Sequence, residues 1–222
     1  MLILKGIPAS GGIAIGPLYV YQKKTVTDFA QKSALTPEQE HRRVEDAVAQ
    51  AKSQLDELYE KTVRDADEAA AQIFDIHKMM LDDLDYVESI AAGIDDGFTA
   101  EHAVNETAQE FSAMLLSMDD ETMRARSADV QDISHRLLTI LSGADSAAHQ
   151  LQTASVVGAV DLFPSDTMQL EKAKLLAFVT EQGSKASHSA ILARSPARDG
   201  GGSPLPGCRC RRSGWCGSAV RP

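Results

Sequence analysis

One long stretch of helical periodicity, bracketed on both sides by short strand-like runs, constrains this chain more than any other feature. The stretch opens at Thr36-Pro37-Glu38-Gln39, with a capping Thr, Pro in the first turn and Gln three residues after the cap, the grammar of a helix start. Val44, Ala47, Val48, Ala51, Leu55, Leu58, Tyr59 and Val63 follow at helical spacing, so they share one stripe that is built to be buried. Similar patterns run from Ile73 to Leu84, Val87 to Ile94, Val104 to Met118 after Phe98-Thr99, and Met123 to Leu141 before Ser142-Gly143. The breaks at Asp95-Asp96-Gly97 and Asp119-Asp120-Glu121 are short enough to make neighbouring helices antiparallel. A helical bundle over residues 31–146 is the expectation.

The flanks have a different character. Leu2 to Ile7 and Ile13 to Tyr21 are short and apolar, and Gly6, Pro8, Gly11, Gly12, Gly16 and Pro17 punctuate them as turns between strands. Ala154 to Val160 and Lys174 to Val179 are compact strand-like runs on either side of a short helix at Asp161 to Thr167. The simplest topology is a discontinuous α/β domain interrupted by the bundle. The 222 residues suffice for one large domain or two modest ones, and the net charge of -10 disfavours nucleic acid and suits a basic protein partner. No apolar run approaches the roughly 18 to 20 residues of a membrane span, and the amino terminus lacks a basic region before its apolar residues; a soluble, cytoplasmic protein with no membrane partner is expected.

The chemistry concentrates in Thr180 to Ser195. A strand runs into the small-residue loop Gly183-Ser184-Lys185-Ala186, and Ser187 can cap a helix whose first residues include His188. A phosphate there would meet unpaired backbone N–H groups at the positive end of the helix dipole. Imidazole, with a reference pKa of about 6.5, is substantially neutral and nucleophilic near neutral pH, and small neighbours leave room for in-line attack on phosphorus. A lone His at a helix start is more often a polar capping residue, and only the surrounding pattern changes that balance.

That pattern, Gly-x-x-x-Ser-His-x-Ala-Ile-x-Ala-Arg, resembles the phosphohistidine signature shared by Enzyme I of the bacterial phosphotransferase system, pyruvate phosphate dikinase and phosphoenolpyruvate synthase. Three further stretches resemble Enzyme I in particular: Gly6-Ile7-Pro8-Ala9-Ser10-Gly11-Gly12-Ile13-Ala14-Ile15-Gly16, Arg124 to Ile133, and Asp161-Leu162 with Pro164-Ser165-Asp166-Thr167. The resemblance covers about residues 1–195. It implies an α/β phosphohistidine subdomain (1–30 and 147–197) holding a helical subdomain (31–146) that docks HPr, the small carrier phosphorylated next. It further implies His188 as the acceptor through Nε2, Thr167 as the group that orients its ring, and Arg126 near the phosphohistidine. An ion pair to Asp129 or Glu121 is the ordinary alternative for Arg126. Lys185 would help neutralise phosphate, and Ser184 departs from the family's usual second Gly.

The acidic residues Glu68, Asp75, Asp82 and Asp83 lie where the family presents its HPr surface, although such runs are by default solvated faces. The implied function is phosphoryl transfer from phosphoenolpyruvate to HPr in sugar uptake. The alternatives are a catalytically inactive HPr-binding module and the phosphohistidine domain of a dikinase-like enzyme. In the family, phosphoenolpyruvate and Mg2+ bind a carboxyl-terminal barrel that also makes the dimer. Nothing in this chain corresponds to that barrel, so the expectation is a monomer with no cofactor of its own that does not accept phosphate from phosphoenolpyruvate unaided.

After Ser195 the composition shifts to Gly, Pro, Arg and Cys. Residues 198–222 are expected to be an irregular, disordered tail, either a translated frameshift or misassembled gene end, or else a genuine basic tail. Cys208, Cys210 and Cys216 lack a fourth neighbouring Cys or His for zinc, so no metal site is expected.

Overall fold

Two parallel strands distant in sequence organise the first part of the molecule. In the computed structural model, residues 6–8, 13–22, 29–65, 68–143, 151–170, 172–181 and 207–210 are described. They fall in two units, one from Met1–Lys23, Lys61–Ala70 and Ala147–Pro222, the other from Lys24–Glu60 and Ala71–Ser146. In the first, β2 (Leu18–Val20) pairs in parallel with β3 (Ser155–Ala159), and β3 pairs in parallel with β4 (Leu175–Thr180). Val156 N donates to Pro17 O at 2.8 Å and Tyr21 N to Gly158 O at 2.7 Å, so the two ends of the chain meet in one sheet. Tyr21, Leu151, Val157, Ala159, Leu162, Leu170, Leu175 and Phe178 form the buried core beneath it. The expected short helix is α6 (Pro164–Gln169), started by Pro at its first turn.

The tail departs from expectation. Gly207–Cys210 is a strand, β5, lying between β4, to which it is parallel, and β1 (Gly6–Pro8), to which it is antiparallel; the order is β1-β5-β4-β3-β2. The composition of residues 198–222 disfavours a packed core, but pairing uses the N–H and C=O groups that every non-proline residue carries, and the flank of β4 offers partners for them. A four-residue strand is below what composition resolves. The remainder of 198–222 lies outside the described residues.

The second unit is the helical bundle. Helices α1 (Pro37–Asp65), α2 (Glu68–Leu81), α3 (Leu84–Asp95), α4 (Ala100–Leu116) and α5 (Glu121–Leu141) occupy the predicted stretches, with α1 and α2 each reaching into the first unit at Lys61–Ala70. The predicted cap forms: Thr36 N donates to Gln39 Oε1 at 3.0 Å, and Gln39 N donates to Thr36 Oγ1 at 3.4 Å. Ala47, Ala51, Leu55 and Leu58 are buried along α1, whereas Val44 and Val48 are half-buried at its flank. Arg43 donates to the Leu141 carbonyl at 3.3 Å and Arg136 to Gln54 Oε1 at 2.8 Å, so α1 and α5 run antiparallel. The α3–α4 turn uses Gly97 at φ +82°, a backbone conformation that side chains resist.

Glu40 and Tyr86 are polar groups inside the bundle that are tied by hydrogen bonds. Glu40 is 2% exposed and accepts from Ser33 Oγ at 2.5 Å, Arg43 at 2.6 Å and Ala100 N at 3.3 Å, joining α1, the segment before it and the start of α4. Tyr86 Oη meets Ser134 Oγ at 2.8 Å, and burial pushes its phenol up to about 12 against the opposing effect of that hydrogen bond.

Two outcomes are expected. Deleting residues 198–222 removes β5 and should lower the melting midpoint of the α/β unit by several degrees; an unchanged calorimetric trace would show that β5 adds nothing. A folded phenol pKa above its unfolded value gives stability that is complete below about pH 10 and lost as pH rises towards about 12. At about 1.4 kcal/mol per unit, this Tyr86 contribution to the full alkaline loss is of order 2–3 kcal/mol, roughly half of it between about pH 9 and 11, and Tyr86→Phe should abolish that part in urea titrations at those two pH values.

Candidate phosphoryl-transfer site

The carboxyl ends of parallel strands are where α/β folds expose chain turns and helix starts to ligands. Here β3 and β4 end side by side, with Ala159 in register with Thr180 and Glu181 N donating to Ala159 O at 3.1 Å. From β3 the chain passes through Asp161-Leu162-Phe163 into α6, and β4 leads towards the signature loop. Both segments of the resemblance therefore leave the same end of the sheet. His188 itself, with Ser184, Lys185 and Ser187, lies outside the described residues.

Thr167 is fixed by its own helix. Its Oγ1 donates to the Pro164 carbonyl at 2.8 Å, and its side chain is half-buried. A hydroxyl whose hydrogen is so engaged offers lone pairs only, so it meets an imidazole as acceptor. Asp166 supports this turn: Oδ2 accepts from Phe163 N at 3.0 Å, and Oδ1 accepts from the Tyr21 hydroxyl at 2.8 Å. Tyr21 ends the first flank and Asp166 lies in α6 within the second, a buried contact across 145 residues that sequence patterning does not reveal.

In the bundle, Arg126 is half-buried on α5 and has no hydrogen bond or ion pair among the described residues. Neither alternative partner holds it, since Glu121 is exposed and Asp129 is buried beside His77. His77 and the α5 carboxylates Asp129 and Asp132 are a polar cluster that sequence reading missed, because a His within an apolar helical stripe carries no signal of its partners.

The four acidic residues divide by role. Glu68 is exposed in the first turn of α2 and has no ion pair among the described residues. Asp75 pairs with Lys78 at 2.9 Å, and Asp82 pairs with Lys52. Lys78 also reaches Asp56 at 2.6 Å, and these hydrogen bonds, Asp56 first, hold its ammonium pKa above the ordinary lysine value. Asp83 accepts from Tyr86 N at 3.1 Å as the cap of α3, a role foreshadowed by an Asp just before an apolar helical run. Met79 (71% exposed) and Leu84 (74% exposed) stand out as apolar groups at the end of α2 and the start of α3. A separate shallow cavity of about 220 Å³ between α1 and α3 is lined by Val44, Val48, Tyr86, Val87 and Ile90, among others. Among the described residues, no group of three metal-ligating side chains occurs and no helix is long and apolar enough to cross a membrane.

The profile of the amino-terminal region of PEP-utilising enzymes matches residues 5–126, more than half of the chain, and that of their mobile domain matches 151–197. The chain belongs to the PEP-utilising enzyme family. Within it the similarity is to Enzyme I. The phosphoenolpyruvate-protein phosphotransferase of Listeria innocua is 41% identical over 201 residues, spanning 86% of this chain and 34% of that protein. That of Bacillus subtilis strain 168 is 36% identical over 194 residues, again with 86% and 34% spanned. The chain thus spans about a third of the length of these relatives. Among solved structures, an Enzyme I solution structure is matched with a TM-score of 0.69 at 30% identity, covering 93% of this chain and 82% of that one. The N-terminal domain of a nitrogen-type Enzyme 1 has the same fold, with a TM-score of 0.61 at 23% identity and coverage of 93% and 82%. The fold expected from the sequence, a bundle with an α/β part, is the fold of the Enzyme I amino-terminal region.

Because Asp75 and Asp82 pair with lysines at the surface, neutralising them should cost little. Asp75→Asn and Asp82→Asn should each shift stability by no more than about 1 kcal/mol in urea unfolding. A larger loss would identify the pairs as structural rather than as an available acidic face.

Proposed function

We propose that this chain carries a phosphoryl group on His188 and exchanges it with the small carrier HPr in the cytoplasm, the carrier step that in the full-length family links phosphoenolpyruvate to HPr in sugar uptake. The observation that carries the reading is the phosphohistidine signature after β4, in a stretch that matches the mobile domain of PEP-utilising enzymes. Thr167 supports it. With its hydroxyl hydrogen committed to Pro164, Thr167 would accept the Nδ1–H of His188 and leave the Nε2 lone pair free for attack. Nε2 forms the new P–N bond as the donor's P–O bond breaks, and the electron pair departs with the pyruvate enolate. Transfer onward reverses the roles, the P–N bond breaking as the carrier's nucleophile attacks phosphorus.

Arg126 is suited to the charge that builds on the moving phosphoryl oxygens, since a guanidinium with no ion pair among the described residues can bind such oxygens through paired donors. Glu68, Asp75, Asp82 and Asp83 would give HPr an acidic landing surface, with Met79 and Leu84 as apolar contacts. The capping bond of Asp83 and the lysine partners of Asp75 and Asp82 leave each carboxylate oxygens to accept from a second donor. In the family the phosphoenolpyruvate and Mg2+ chemistry belongs to a separate barrel; no residue of this chain is assigned to the metal.

The test is transfer of labelled phosphate from phosphorylated HPr to the full chain. Acid-labile label should appear on the wild type and vanish in His188→Ala, with the fold retained by circular dichroism. Label that persists in His188→Ala would rule out this carrier, and binding of HPr without any label would make the chain an inactive docking module.

A further inference from the structure

The bundle buries a polar cluster between two of its helices. His77 on α2 is 1% exposed, and Asp129 and Asp132 on α5 are each 3% exposed. His77 Nε2 lies 3.4 Å from Asp129 Oδ1, its Nδ1 faces Asp132 Oδ2 at 3.9 Å, and its ring meets the edge of Phe74 with centroids 6.2 Å apart. Apolar side chains of similar volume commonly fill such positions without loss of stability, whereas buried polar groups can enforce one register among several that apolar packing tolerates. The cluster joins two helices that the proposed reaction must keep in step. Helix α2 carries Asp75 and Met79, Asp82 follows directly after its end, and α5 carries Arg126.

Residues 126, 129 and 132 are spaced by three on α5, so each is offset from the last by roughly 60° around the axis. A rotation of α5 that moves the two carboxylates off His77 turns Arg126 through the same angle, because the helix moves as a unit. A shift of α2 along α5 likewise separates His77 from both carboxylates at once.

We propose that His77, Asp129 and Asp132 form a positioning clasp for phosphoryl transfer, fixing α2 and its carrier-facing surface against α5 and Arg126. This rests on the reading that α2 docks the carrier and Arg126 meets the phosphoryl group. His77 acts through the carboxylates and touches no substrate. Loosening the clasp leaves each helix surface intact but changes their mutual register, so docking survives and the transfer step suffers.

The test uses the full chain bearing His77→Leu, Asp129→Leu and Asp132→Leu together, with transfer from phosphorylated HPr followed across a range of HPr concentrations. The melting midpoint should be no lower than that of the wild type, KM should stay within about twofold, and kcat should fall roughly tenfold or more. Unchanged kcat, or a rise in KM alone, would overturn the clasp. If the triple variant lacks a cooperative melt, the near-isosteric Asp129→Asn and Asp132→Asn replace it; the same kcat-selective loss supports the clasp and normal kcat sinks it. A wild type that takes no label defeats the phosphoryl-carrier reading and the clasp with it, whereas a labelled wild type matched by its variants defeats the clasp alone.

Discussion

The parallel pairing of β2 with β3 is the constraint on which the α/β part depends. Parallel neighbours need a crossover, and here the crossover between Val20 and Ser155 contains the whole helical bundle. The hydrogen bonds from Val156 to Pro17 and from Tyr21 to Gly158, with the buried Tyr21–Asp166 contact, require both flanks to be present before either has a core. The same pairing sets β3 beside β4 and so brings the α6 turn and the entry to the signature loop to one end of the sheet. Fold and site are therefore consequences of one long-range closure.

The bundle follows a different logic. Its helices are local, and their caps at Thr36, Asp83, Thr99 and Asp120 use side chains only a few residues from the groups they satisfy. For Asp120, the N–H groups of Met123 and Thr122 stabilise the ionised carboxylate and lower its pKa. What unifies the helices is buried polar chemistry. Glu40 binds Ser33, Arg43 and the start of α4, and Arg43 also reaches Glu101 and the end of α5. Tyr86 with Ser134, and His77 with the α5 carboxylates, supply further links. The hydrogen bonds among these ties are specific in direction, which apolar packing is not.

Much of the architecture was legible before any coordinate. Thr36 and Gln39 announce the start of α1, the apolar stripe of Ala47, Ala51, Leu55 and Leu58 is the buried one, and the strand-like runs after Ala154 become β3 and β4. The break within Ile73 to Leu84 was less visible, because Leu84 continues the apolar pattern although Asp83 already caps the next helix. The strand at Gly207–Cys210 leaves little trace in the sequence for a related reason: composition reports on core burial, whereas a short strand inside a sheet needs only a backbone and two neighbours. For the candidate site, the family resemblance pointed to His188 and Thr167, yet the bond from the Thr167 hydroxyl to Pro164, which leaves that oxygen as an acceptor, depends on the α6 turn.

By itself, the sequence determined the helices, the start of α1 and the family, because each is written in residues close together in the chain. Only the tertiary structure decided that Asp75 and Asp82 are shared with lysines, that Asp83 is a cap, that Arg126 has no ion pair among the described residues, and that His77 faces two buried carboxylates. These are pairings between groups separated by anything from three to many tens of residues. Periodicity says which face a side chain occupies, but its partner is set by the distances and directions at which helices and strands pack.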